Sequence, residues 1–201
     1  MSLSQNLIQN ALKDAISYEA YTALMQQLED QGNSTGFEQS EYLSNYTMLN
    51  NKRMQRLNKT LSISEDIQRR FVLDTRSFYF LILSESWCGD AAQSIPMWAK
   101  VADLKADWQL LIVSRDAHEG LMELFLTNGS KSIPKVLVLD GVSQELITHW
   151  GPRPSVASKM ATVFKELHGS LTAEFKTDLQ QWYNKDKGQT TLKDILDLLE
   201  L

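Results

Sequence analysis

The feature that most constrains this chain is an unbroken apolar and aromatic run, residues 78–83 (Phe-Tyr-Phe-Leu-Ile-Leu), ending just short of the single cysteine, Cys88. A strand with one wet face alternates apolar and polar residues; a run with no alternation needs cover on both faces. The run therefore predicts a central strand in a sheet sandwiched by other layers. The residues after it can supply those layers. A helix is expected from about residue 89 to 104, carrying Met97, Trp98 and Val101, then a strand over 109–113. A helix with Leu121, Met122, Leu124 and Phe125 comes next, with Asn128-Gly129 read as its stop. A strand over 134–139, a turn at Asp140-Gly141 and a returning strand over 145–150 predict a hairpin. Gly151-Pro152-Arg153-Pro154 punctuates the chain before a long helix with Val156, Met160, Val163, Phe164 and Leu167, broken near Gly169 and resuming to Tyr183. A strand-helix-strand unit followed by an antiparallel pair implies an α/β fold with a mixed sheet and helices on both faces.

The residues before this core read as helical. Leu3, Leu7, Ile8 and Leu12, then Tyr21, Leu24, Met25 and Leu28, recur at three- and four-residue spacing, and residues 31–36 form a loop. A second helix carries Tyr42, Leu43, Tyr46, Leu49, Met54, Leu57 and Leu61, with a basic face of Lys52, Arg56 and Lys59. The expected organisation is a helical extension over 1–60 packed on the core, the main domain over 61–187, and a C-terminal amphipathic helix within 188–201.

With 43% hydrophobic and 22% charged residues, the 201-residue chain has the composition of a protein that buries a core. Its net charge of −5 offers no global attraction to nucleic acid or anionic lipid. No stretch approaches the roughly 20 apolar residues of a membrane span, and the N-terminal residues lack a signal-peptide pattern, so a cytoplasmic protein is expected. One cysteine excludes an internal disulfide, which agrees with a reducing compartment.

The cysteine corner carries a resemblance. Trp87-Cys88-Gly89 after an apolar strand, Pro96 inside the following helix, and Ser132-Ile133-Pro134 opening a later strand resemble the thioredoxin superfamily in order and spacing. The likeness extends over about residues 60 to 185 and implies a thioredoxin-like fold with a cis Ile133-Pro134 bond packed against the corner. The whole chain is similar to a group of bacterial thioredoxin-like proteins, mostly uncharacterised, with a Trp-Cys-Gly-Asp-Ala corner, here residues 87–91, and a Trp-Gly-Pro-Arg-Pro turn, here residues 150–154.

The departures bear on chemistry. Ala91 stands where a dithiol thioredoxin has its resolving cysteine, Asp90 where it has proline, and Ile82 where it has a buried carboxylate. Glu85 is a candidate partial substitute, though a glutamate at a strand end is ordinarily solvated. Placed at a helix start, Cys88 would feel the positive end of the dipole, which favours thiolate, while Asp90 opposes it; a modest net lowering of its pKa is expected. The candidate catalytic residue is Cys88, and the candidate substrate-binding residues are Trp87, Gly89, Asp90, Ile133 and Pro134. Arg153, between two prolines, is read as anchoring its turn through a carboxylate. His118, His149 and His168 are scattered and read as surface or turn residues. No four-ligand set surrounds Cys88, so no metal and no cofactor are assigned.

Two functions are open to these residues. In the first, Cys88 acts as a monothiol oxidoreductase on a disulfide-containing protein or a low-molecular-weight thiol, with an external thiol resolving the intermediate. In the second, the domain is a binding module without turnover, holding an extended peptide or small ligand beside Cys88 and Pro134. Neither nucleic acid nor membrane is an expected partner.

Overall fold

The computed structural model describes residues 2–201 and arranges them as a five-stranded mixed sheet between helical layers. In chain order the elements are α1 (Leu3–Asp14), β1 (Ile16–Ser17), α2 (Tyr18–Gln31), α3 (Glu41–Thr60), α4 (Glu65–Leu73), β2 (Phe78–Ser84), α5 (Gly89–Ala102), β3 (Trp108–Ser114), α6 (Glu119–Glu123), β4 (Lys135–Asp140), β5 (Leu146–Trp150), α7 (Ser155–His168), α8 (Ala173–Asp186) and α9 (Gln189–Leu198). Among the described residues no helix is long and apolar enough to cross a membrane.

The apolar run is the middle strand. The order is β1-β3-β2-β4-β5, with β2 parallel to β3 and antiparallel to β4, so that Leu81 stands between Leu111 and Leu137. Every residue of β2 except Tyr79 is buried, as a strand covered on both faces requires. Aromatic rings fill one side: Phe80 lies 5.3 Å from Trp98 and 5.7 Å from Trp108, and Trp98 lies 5.7 Å from Trp150, in tilted or edge-on contacts.

Four local expectations need correction. The N-terminal region is not wholly helical, because Ile16 and Ser17 pair antiparallel with Ile112 and Leu111 and add an edge strand; two residues between helices leave no periodicity to read. α4 is a separate helix that the apolar spacing does not predict, since its nine residues bury only Phe71 and its apolar stripe is thin. Asn128-Gly129 does not stop a helix. Both residues take positive φ, 50° and 75°, and Thr127 and Ser130 exchange backbone hydrogen bonds across them, which is the hairpin use of Asn-Gly. The β4–β5 hairpin exists, but its turn is not the tight Asp140-Gly141 pair: the Asp140 carboxylate accepts from the Val142 and Ser143 amides, while Gln144 carries the positive φ.

The helices before β2 share the main core, to which Ile8, Ala11, Tyr21, Met25, Met54 and Leu57 contribute. α3 departs from its expected face. Its buried stripe is Thr47, Asn50, Asn51, Met54 and Leu57, whereas Tyr42 and Leu49 are exposed. A polar stripe on an inward face needs polar partners: Thr47 and Asn50 find theirs at the cysteine corner, and Asn51 finds Gln26 and Glu29 of α2.

Candidate functional site

The corner is built by the end of β2 meeting the start of α5. Ser86, 1% exposed, is its hinge: its hydroxyl accepts from the Thr35 amide at 2.9 Å and bonds the Thr47 hydroxyl at 2.7 Å, its amide donates to the Thr35 hydroxyl at 2.7 Å, and its carbonyl accepts from the Asn50 amide group at 2.9 Å. Arg53, one turn further on α3, donates to Asn50 Oδ1 at 2.9 Å. Ser86→Ala should therefore cost about 2 kcal/mol, since it strands the part-buried Thr35 amide and removes the buried bond to the Thr47 hydroxyl. A shift of the urea midpoint with unchanged slope would report this. A cost below about 0.5 kcal/mol would mean that this network does not tie α3 to the corner.

Cys88 is the N-cap of α5. Its sulfur accepts from the Ala91 amide at 3.4 Å, and its thiol donates to the Ile133 carbonyl at 3.3 Å. Ile133-Pro134 is cis, and the contact expected between these positions is present. The chemistry differs from the expectation. Cys88 is only 8% exposed, and burial, reinforced by the Asp90 carboxylate, pushes the thiol up to about 12 against the lowering effect of the helix amides. Desolvation outweighs the helix start.

Asp90 is partnered on two sides. It pairs with Arg153 at 2.8 Å and accepts from the Tyr183 hydroxyl of α8 at 2.9 Å. Burial raises its pKa, with Arg153 and then Tyr183 pulling it back. The expected carboxylate partner of Arg153 is thus Asp90 itself. The turn that carries Arg153 is held from two sides. Gly151, at φ 111°, lies so close to Pro134 that a Cβ would come within 2.2 Å of the Pro134 carbonyl oxygen, which excludes any other residue there. Asp194 of α9 accepts from Trp150 Nε1 at 3.1 Å and from the Ser155 amide at 2.8 Å.

Glu85 is not solvated. It is 1% exposed and accepts from the Ser114 hydroxyl at 2.7 Å and the Asp116 amide at 3.0 Å, tying β2 to the end of β3. Ile82 is fully buried in the core. Trp87 is half-buried, with the Arg115 guanidinium 5.0 Å from its ring centroid. Gly89 sits against Arg53 and Gln180, each 3.4 Å from where a Cβ would be. His149 and His168 lie beside Phe125 and Phe164, but the His118 side chain is mostly buried, 3.5 Å from Asp14.

A cleft of about 830 Å³ opens beside this corner, between α3, α8 and the loop before β4. Trp87, Cys88, Gly89, Asp90 and Ile133 line it; Pro134 does not, and Pro152 takes its place. Of the basic residues on α3, Lys52, Arg56 and Lys59 lie outside it, Arg56 instead donating to Asn184 of α8 at 2.7 Å. Among the lining residues that sequence reasoning did not place in the site are Tyr46, Arg53, Lys176 and Gln180. For Tyr46 and Arg53 a signal existed, a helical spacing of seven with Asn50 between them; nothing marked the α8 residues.

A central strand that delivers a cysteine to a helix N-terminus, opposite a cis Ile-Pro, defines a protein of the thioredoxin-fold class. The chain matches the thioredoxin family over residues 36–167, well over half its length, and belongs to that family. Curated proteins gave no match. Two solved structures are similar in fold: a Pseudomonas aeruginosa protein of unknown function, with TM-score 0.57, 19% identity, and coverage of 92% of this chain and 98% of that one; and an HIV epitope scaffold, with TM-score 0.56 and the same identity and coverage.

Proposed function

We propose that this thioredoxin-family protein is a binding module that holds a ligand in the cleft beside Cys88 without thiol turnover. One contrast supports the reading: the cleft is open, while the thiol within it is buried, bonded to the Ile133 carbonyl and held protonated. Disulfide exchange starts from thiolate attack, so a thiol raised to about 12 offers almost no nucleophile at neutral pH. A second cysteine would resolve the mixed disulfide, and Ala91 stands in its place, itself buried. The monothiol reading drawn from the sequence depends on a lowered thiol pKa, and the desolvation of Cys88 runs against it.

The test is exposure to excess oxidised glutathione at pH 7.5, followed by intact-mass spectrometry. Attack by Cys88 would join its sulfur to one glutathionyl sulfur and release the other as glutathione. The expected result is no adduct after hours, under conditions where a free cysteine peptide is consumed. A stoichiometric adduct formed by the folded protein would replace this reading with the monothiol one.

A further inference from the structure

Cationic side chains are concentrated in the cleft although the chain as a whole carries a net charge of −5. Arg53, Arg115, Lys131, Arg153 and Lys176 line it, against the single carboxylate of Asp90. Three of these are already neutralised. Arg153 pairs with Asp90, Arg115 with Asp116 at 2.7 Å, and Lys131 with Glu119 and Glu123. Arg53 and Lys176 are different: among the described residues neither has a carboxylate within 4 Å. Arg53 is half-buried, and burial lowers its pKa, so its charge is desolvated without an opposite charge in contact. Arg153, paired with Asp90, keeps a buried Nε with no hydrogen-bond partner.

The remaining walls mix polar groups of Ser132, Thr177 and Gln180 with an apolar and aromatic patch. Tyr42 and Tyr46 meet in a tilted contact, centroids 4.8 Å apart and planes inclined at 60°, and Leu49 and Leu171 also line the cleft. Both Tyr42 and Leu49 are largely exposed, at 61% and 41%, an apolar surface that α3 turns toward the cleft instead of the core. The cleft volume lies within the roughly 300–1,000 Å³ of small-molecule sites. A cationic, partly desolvated site with an aromatic wall and that volume suits one chemistry.

We infer that the cleft binds a small organic anion with an apolar body, its charge met by Arg53 on α3 and Lys176 on α8 and its body laid against Tyr42, Tyr46 and Leu49. The inference rests on the binding-module reading and adds the ligand class to it. Arg53 gives the site its rigidity, because Asn50 holds it and Asn50 is itself fixed on the Ser86 carbonyl. Lys176, on an exposed part of α8, supplies a second charge at the end of a flexible type of side chain.

The probes are 1-naphthylacetate and its uncharged analogue 1-naphthylacetamide, titrated into the ¹⁵N-labelled full chain by NMR. Resonances of Trp87, Ile133 and Gln180 should shift with both, and the acid should bind about tenfold more tightly. The Arg53→Gln, Lys176→Gln double variant should lose that preference while keeping the affinity for the amide, which also shows that it is folded. Arg53→Lys should retain most of the preference, and Lys52→Gln with Lys59→Gln, outside the cleft, should retain all of it. If acid and amide bind equally, or the double variant keeps the preference, the anion inference is wrong and the binding-module reading survives on the amide titration. If neither probe shifts cleft resonances at millimolar concentration, the binding reading itself fails.

Discussion

Asp90→Ala should destabilise the protein by about 3 kcal/mol, the low end of what breaking a buried ion pair costs. The substitution leaves the Arg153 guanidinium in a site where its side chain is only 23% exposed and the Tyr183 hydroxyl without its acceptor. The carboxylate is 12% exposed, so water recovers little of the loss, yet the residual exposure of the pair keeps the cost below that of a fully dry one. Arg153→Ala should cost a similar amount, by leaving Asp90 charged and unpaired. The double variant should cost clearly less than the two combined, because each single change contains the penalty of stranding the other partner. Urea unfolding of the four proteins measures this. Additive effects would mean that Asp90 and Arg153 act independently and that the turn at residues 151–154 is not held to the corner through them. Asp90→Asn keeps the side-chain shape and the acceptor for the Tyr183 hydroxyl, but it replaces the oxygen facing Arg153 by an NH2 donor and so removes both the charge and that hydrogen bond.

The same pair shows how far the sequence alone carries. That the apolar run at 78–83 is a central strand comes from a local pattern with a strong physical requirement, since a strand without alternation needs two covered faces; that Ile133-Pro134 faces Cys88 is what the resemblance to the thioredoxin superfamily implies. Arg153 is readable as a turn anchor because it sits between prolines. Its partner is not, since residues 90 and 153 meet only through the β4–β5 hairpin and the close approach of Gly151 to Pro134. Glu85 illustrates the opposite limit. A carboxylate at a strand end is usually wet, and here it is buried with Oε1 accepting from a serine hydroxyl and one amide of the neighbouring strand end while Oε2 has no partner.

The pKa of Cys88 departs from its sequence expectation for a related reason. Helix-start and Asp90 effects are local and visible in the sequence; the desolvation that outweighs the helix contribution comes from distant elements that close over the corner. α8 approaches Asp90 through Tyr183 and Gln93 through Gln180, the latter bond at 3.0 Å. These contacts span 93 and 87 residues and carry no sequence signature. α3 likewise reads as an ordinary amphipathic helix, but its Thr47 and Asn50 face the corner and its tyrosines the cleft. The thioredoxin frame is therefore legible, while the character of its site is set by two helices outside the motif.

A thiol that stays protonated makes two linked demands. Because the folded protein holds the Cys88 proton up to about 12 while an unfolded cysteine releases it near 8.5, the native state binds more protons across that window. Stability should then fall as pH rises through it, and Cys88→Ser should remove this component. The more direct measurement is the rate of iodoacetamide alkylation of Cys88 in the folded protein as a function of pH, beside an unstructured cysteine peptide. A protonated, buried thiol predicts a rate about a thousandfold below that of the peptide at pH 8.5 and still rising at pH 11. A midpoint at or below about 8.5, with a rate within tenfold of the peptide, would show a tuned nucleophile in the cleft and contradict a binding module without turnover.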